Sequence, residues 1–171
     1  ILKKWATGAL MAQGREAAQR ATGPYQYGVG LSGGSERLIH TLVGNYSLGS
    51  DHALVQIDAS DAFCTVSRAH IFEQVQRHLP LMVGYVAWAL GHSVPAIFPS
   101  DDRRVYRAWI EQGVLLGSIE NPLFFSLAVR ALFEHVERVA PELWAECQWY
   151  AYLDDITVLC PVSRLPSLWE G

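Results

Sequence analysis

The sequence predicts an α+β fold, a small antiparallel sheet covered by helices on one face, and three observations carry that expectation. A short apolar run with β-branched residues ends at Asp58 and gives way to a helix, and apolar residues at spacings of four and three follow Gly117. Two aromatic or β-branched runs flank Leu153-Asp154-Asp155. The 171 residues suffice for one domain with a sizeable core and are too few for two ordinary ones. Half of them are hydrophobic, which excludes a disordered tail or a low-complexity linker.

Residues 1–20 mix small, apolar and charged side chains, interrupted by Gly8 and Gly14, which predicts a helix. The run Gly23-Pro24-Tyr25-Gln26-Tyr27-Gly28-Val29-Gly30 predicts irregular chain. Gly33-Gly34-Ser35 leads into a helix through Val43, with Ser35 as its N-cap. This Gly-rich loop is no Walker phosphate cradle, because the Gly-Lys-Ser/Thr ending and the preceding strand are both missing. Ala53 to Ile57 is then a strand, and Ser67 caps a helix through Ile71, Phe72, Val75 and Leu79. Within the apolar residues 81–98, Ala96-Ile97-Phe98 reads as a strand leading to the polar turn Ser100-Asp101-Asp102-Arg103-Arg104. Asn121-Pro122 puts a capping residue before a Pro at the first helical position, and Phe125, Val129, Leu132, Val136 and Val139 mark one face of the long helix that follows. Gln148 to Tyr152 and Ile156 to Cys160 form a hairpin with two acids at its tip.

Composition narrows the function. A net charge of −4 argues against a simple electrostatic nucleic-acid binder, which needs an excess of Lys and Arg. Cys64, Cys147 and Cys160 have neither CxxC spacing nor a His at zinc-ligand intervals, so no disulfide framework or structural zinc is expected. The apolar stretches are broken before membrane-spanning length, and residues 1–20 lack the pattern of a signal peptide; an intracellular protein, in nucleus or cytoplasm, is expected. The first residue is Ile and the last follows closely on a strand, as in a fragment of something longer.

The chemistry rests on three acids. Asp58 at the carboxyl end of a strand reads on its own as a turn former or cap, and Asp154-Asp155 as a solvated tip. The apolar flanks of the tip, however, put the acidic pair where strands enter a core, and a divalent cation relieves the repulsion between adjacent carboxylates. If the Asp58 strand lies beside the hairpin, three carboxylates converge as an all-oxygen site suited to two Mg²⁺ ions, with Mn²⁺ as a substitute. Such a pair of ions activates an attacking hydroxyl and neutralises the leaving pyrophosphate in phosphoryl transfer.

The motifs around these acids resemble those of reverse transcriptases. Asp58-Ala59-Ser60-Asp61-Ala62-Phe63 looks like the family's first catalytic motif. Gln112-Gly113-Val114-Leu115-Leu116-Gly117-Ser118, continuing to Pro122-Leu123-Phe124-Phe125, resembles the Gln-Gly motif before its long palm helix. Tyr152-Leu153-Asp154-Asp155 resembles the Tyr-x-Asp-Asp box. The three stand in the family's order, and the resemblance runs from about Tyr25 to Cys160. The interval from Gln112 to Pro122, and Gln26-Tyr27-Gly28, are most like non-LTR retrotransposon enzymes. The resemblance implies a polymerase palm over 53–171, with 1–52 joining fingers to palm and with the fingers tip and thumb outside the chain.

It also implies roles. Asp58, Asp154 and Asp155 would be the catalytic metal ligands, with the carbonyl of Ala59 completing the sphere. Ala59, Asp61, Ala62, Phe63, Gln112, Gly113 and Tyr152 would line the nucleotide. Phe63 would lie under the incoming sugar and exclude a 2′-hydroxyl, where the plain alternative is a core Phe. Gln112 and Gly113 would border the nascent base pair. RNA template, DNA primer and deoxynucleoside triphosphates are the implied partners. Two departures bear on nucleotide affinity: Val114-Leu115 stands where Asp-Pro or Val-Pro is usual, and Asn121 where Gly is common.

Six histidines, at 40, 52, 70, 78, 92 and 135, show no ligand spacing. Arg103, Arg104 and Arg107 read as a solvated loop, or else as a template contact. Trp88, Trp109, Trp144 and Trp149 are expected to fill the core. Two alternatives stand beside RNA-directed DNA synthesis. One is an RNA-dependent RNA polymerase on the same palm, against which Tyr152 and Phe63 argue. The other is a domesticated, inactive nucleic-acid-binding module.

Overall fold

The computed structural model describes residues 2–48, 51–99, 104–114 and 117–168. The expected turn at 100–103 and Leu115-Leu116 of the Gln-Gly segment lie outside the described residues. Residues 1–20 form two helices rather than one, α1 (Leu2–Gln13) and α2 (Arg15–Thr22), parted at Gly14. After the irregular 23–33, α3 spans Gly34–Leu48. It starts at Gly34, with the Arg37 amide bonded to Gly33 O, so Ser35 lies inside the first turn and is not the cap.

Next come β1 (His52–Ile57), the short α4 (Ala62–Thr65) and α5 (Arg68–His78). Ser67 caps α5 as expected, its hydroxyl accepting from the His70 amide at 3.3 Å. A 3₁₀ turn at Pro80–Met82 leads into α6 (Val83–Leu90), followed by β2 (Val94–Pro99) and β3 (Val105–Ile110). The long helix is α7 (Asn121–Val139), then α8 (Pro141–Glu146), β4 (Gln148–Tyr152) and β5 (Asp155–Pro161). α7 begins on Asn121 with Glu120 before it, so Asn121 is a buried first-turn residue and not the cap.

β1, β5 and β4 make one antiparallel sheet in that order. Strand alternation sends Val55, Trp149, Ala151, Ile156, Val158 and Cys160 to one face, where they pack on Phe125, Val129 and Phe133 of α7. Another side of its first turns carries Leu123, Phe124 and Leu127 into a second cluster with Ile71, Val75 and Val86. From Leu123 to Leu127 α7 is therefore buried all round, as a helix segment between two cores must be. Each large side chain so buried contributes about 1.5–3 kcal/mol. The other face of the sheet is not bare: α3 lies against β4, and Asn45 Nδ2 donates to the Tyr150 hydroxyl at 2.7 Å.

β2 and β3 form a separate antiparallel ribbon. The sequence marks only its first strand, because nearly every side chain of β3 is exposed and no alternation is required of it. Trp109, expected in the core, stands 62% exposed on this ribbon, and Trp88 on α6 is 61% exposed. Trp144 and Trp149 do join the core, stacked at 5.1 Å between centroids.

Candidate functional site

The β1–β5 register ends with Ile57 opposite Ile156, and the β5–β4 register with Asp155 opposite Tyr152. One further residue along β1 is Asp58, so the same register carries its backbone beside Asp155. Two residues, Leu153 and Asp154, close the hairpin. The three acids predicted from sequence thus share one end of one sheet, as expected of carboxylates at strand ends. Asp58 and Asp155 are exposed and Asp154 is half-buried. Among the described residues, no group of three or more His, Cys, Asp or Glu side chains is arranged to hold a metal ion. The backbone brings the three acids to one sheet end; their side chains do not form a closed cage.

The residues after Asp58 fold tightly. The Ala62 amide bonds to Ala59 O at 3.3 Å, which leaves that carbonyl a second lone pair. Asp61 takes a left-handed φ of 51° and starts α4, its carbonyl accepting from the Cys64 and Thr65 amides. Ala62 is buried and faces the cluster beneath the sheet. Phe63 stacks on Phe125 at 4.6 Å and packs against both clusters, although it remains half-buried. Its packing matches the plain core alternative, and its partial exposure leaves an edge for a ligand.

Gln112-Gly113 docks on this same turn. The Gly113 amide donates to Val66 O at 2.9 Å, and the Val114 amide to Phe63 O at 2.7 Å. Gly113 has φ 71°, and a Cβ there would sit 2.2 Å from Cys64 O, so both conformation and closeness demand glycine. Gln112 is exposed beside it. Arg68 completes the joint, Nε donating to Gly113 O and Nη1 to His92 O, both at 2.9 Å. Nothing in the sequence signals this role, because a first-turn Arg reads as an ordinary solvated residue.

A second unforeseen contact lies at the hairpin. Tyr25 and Tyr27 exchange backbone bonds with Ala151, adding a short parallel bridge outside β4. The Gln26 side chain between them turns inward and reaches Leu153. A Gln flanked by two Tyr and followed by Gly in irregular chain was its signal, since a polar residue in a bridge so close to a core is buried only with partners.

A prominent concavity of the surface lies away from these acids. A groove of 540 Å³ between α5 and α7 is lined by His70, Gln74, Arg77, Glu134, His135 and Arg138, and none of the three acids borders it. There, burial raises the Glu134 carboxyl, but Arg130, Arg77 and His78 outweigh it and hold the group below its ordinary range. His78 is likewise lowered, by burial first and then by Arg130. Its Nε2, 3.6 Å from Glu134, thus belongs to a neutral ring at pH 7 rather than to an ion pair. Arg130 also donates to Ala21 O and Arg20 O, covering the end of α2. These contacts brace helices. Donor chemistry, not concavity, marks the strand end as the candidate site.

The family model for reverse transcriptase (RNA-dependent DNA polymerase) matches residues 26–164. The chain is 27% identical over 156 residues to the retrotransposable element SLACS 132 kDa protein of Trypanosoma brucei gambiense. That alignment takes in 90% of this chain and only 12% of the relative. A telomerase from Candida albicans, solved with a fragment of telomeric RNA, has a similar fold, with a TM-score of 0.53 at 10% identity. The likeness covers 92% of this chain and 27% of the telomerase.

Proposed function

The chain belongs to the reverse transcriptase family, and from that membership we propose that it is the catalytic palm of an RNA-directed DNA polymerase of the non-LTR retrotransposon type. In that reaction a primer 3′-hydroxyl attacks the α-phosphate of a deoxynucleoside triphosphate paired to an RNA template. The observation that carries the reading is the register that brings Asp58 beside Asp155 and next to Asp154 at the hairpin tip. The resemblance to SLACS supports the retrotransposon type. The palm corresponds to residues 53–171, and the preceding helices connect it to the fingers.

Asp58, Asp154 and Asp155, with the free lone pair of Ala59 O, form an all-oxygen donor set that fits Mg²⁺ or Mn²⁺ in ligand type. When bound, two such ions supply charge neutralisation at the transferring phosphoryl group and orient the in-line displacement. The residues of the chain do the rest. The Gly113 backbone lies close to α4 with no side chain to obstruct a base pair, and exposed Gln112 offers an amide to it. Phe63, backed by Phe125, presents a firm edge against a 2′-hydroxyl, and Tyr152 and Asp61 border the same nucleotide. No helix among the described residues is long and apolar enough to cross a membrane.

Primer extension on an RNA template with Mg²⁺, by the full-length protein that carries this domain, tests the reading. Asp154→Asn is expected to lower the rate on the order of 10³-fold. Equal extension by both proteins would overturn the site. Phe63→Val is expected to admit ribonucleotides, and unchanged discrimination would remove Phe63 from the sugar contact.

A further inference from the structure

We propose that Gln26 is a positioning residue for the hairpin tip, its buried carboxamide fixing the backbone of Leu153 and through it the neighbouring Asp154. The inference rests on the reading of Asp154 as a metal ligand given above.

Gln26 is 3% exposed and makes three hydrogen bonds from one amide group. Its Oε1 accepts from the Leu153 amide and from the Gly28 amide, each at 2.8 Å. Its Nε2 donates to the Leu153 carbonyl at 3.2 Å. The β4–β5 ladder ends at the Tyr152–Asp155 pair, so the peptide groups of Leu153 have no partner in the sheet. One side chain from 127 residues away satisfies both of them.

That service matters because Leu153 is held in an unfavourable conformation. It has φ 58°, which a residue with a branched side chain seldom adopts without support from its surroundings. Its side chain packs against the cluster that contains Ile71, Val75 and Val86, and the Gln26 amide holds its backbone. Asp154 is the next residue in the chain, so the setting of the Leu153 peptide directs where the carboxylate leaves the turn.

The neighbours of Gln26 are built for this approach. A Cβ on Gly28 would lie 2.6 Å from Leu153 Cδ2 and 2.9 Å from its amide nitrogen, so only glycine lets the segment come so near. The bonds from the Tyr27 amide to Ala151 O, and from the Ala151 amide to Tyr25 O, register Gln26 alongside the strand. A carboxamide of this length offers an acceptor for two amides and a donor for a carbonyl at once, without ionising. Glu at this position keeps both acceptor contacts and loses the donor; Met fills the space and loses all three.

Three measurements on the full-length protein test the role: hydrogen exchange of the peptide spanning the hairpin, Mn²⁺ affinity by electron paramagnetic resonance, and extension rate against Mg²⁺ concentration. Gln26→Met is expected to speed exchange at the tip at least about tenfold while the β1–β5 ladder stays protected. It is also expected to weaken Mn²⁺ binding and lower kcat by about tenfold or more, the range for removing a group that orients a metal ligand, with KM for primer–template unchanged. Gln26→Glu, which keeps both acceptor contacts, is expected to recover most of the tip protection, and serves as the reading if the Met variant folds poorly. Wild-type tip exchange in a folded Gln26→Met overturns the proposal. So does fast tip exchange with unchanged Mn²⁺ affinity, provided Asp154→Asn abolishes that affinity. Intact Mn²⁺ binding in Asp154→Asn is a different result, and overturns the carboxylate reading on which the proposal rests.

Discussion

Among the described residues, the β4–β5 and β2–β3 pairings are both antiparallel ladders, alike in hydrogen bonding and opposite in burial. The β4–β5 hairpin lies in a sheet with Val158 and Cys160 fully buried against α7, and its tip is tied by Gln26. The β2–β3 ribbon has a full register from Val94–Ile110 to Pro99–Val105, yet Ile97, Phe98, Val105, Tyr106 and Trp109 are each more than half exposed. Ladder bonds contribute little net stability when water competes for the same groups, and a two-stranded ribbon is marginal on its own. The comparison teaches that here pairing sets register while packing supplies rigidity. The three acids proposed as metal ligands stand on the packed member.

Substitutions can break or sharpen that contrast. Phe124, fully buried on α7, should have the largest effect: Phe124→Ala is expected to cost about 3–5 kcal/mol in denaturant unfolding. A loss under 1 kcal/mol would mean that the helix layer does not support the sheet as described. The joint between the two regions comes next. Gly113→Ala forces a methyl onto Cys64 O at a positive φ, and about 2–4 kcal/mol of destabilisation is expected, with Gly113→Asn no better because the clash is with backbone.

The helix brace should show as a pH dependence of stability. His78 has a folded pKa below its unfolded value near 6.5, so the unfolded chain binds the proton first. Its contribution is complete above that pH and is lost as the pH falls through the folded value. Glu134 is lowered in the same sense, so its contribution is complete above the ordinary carboxylate range, near pH 4.5, and lost below it. The melting temperature is therefore expected to fall as pH drops from 7 to 4, and Glu134→Gln to flatten the lower part of that slope. Stability that rises on acidification would contradict the assignment. The smallest effect belongs to the ribbon: Trp109→Ala is expected to change stability by less than about 0.5 kcal/mol, and a larger loss would show that its ring is covered in the full-length protein.

The same contrast explains what could be read in the sequence. The hairpin was legible because its strands are buried and its tip is acidic, and α7 because a helix between two cores must repeat its apolar residues. The strand β3 was not, since Val105 to Ile110 buries little and carries no periodic constraint. Gly14 splitting α1 from α2 was visible only as a residue, its effect depending on how the two helices pack. At the site, Asp58, Asp154 and Asp155 could be named from strand ends and motif order. The role of Arg68 could not, and the partner of Gln26 could not, because the groups they meet lie 45 and 127 residues away. Local rules name caps and turns; they do not say which distant carbonyl a long side chain will meet.

The central claim is that the sheet end gathers Asp58, Asp154 and Asp155 around two ions. A crystal structure of the full-length protein with Mn²⁺, primer–template and a non-reacting deoxynucleotide, read by anomalous scattering, tests it most directly. Two Mn²⁺ peaks about 4 Å apart, bound by Asp58 and Asp154 with Asp155 alongside, are the predicted result. Peaks elsewhere, or an Asp58 carboxylate outside the coordination sphere, would contradict it.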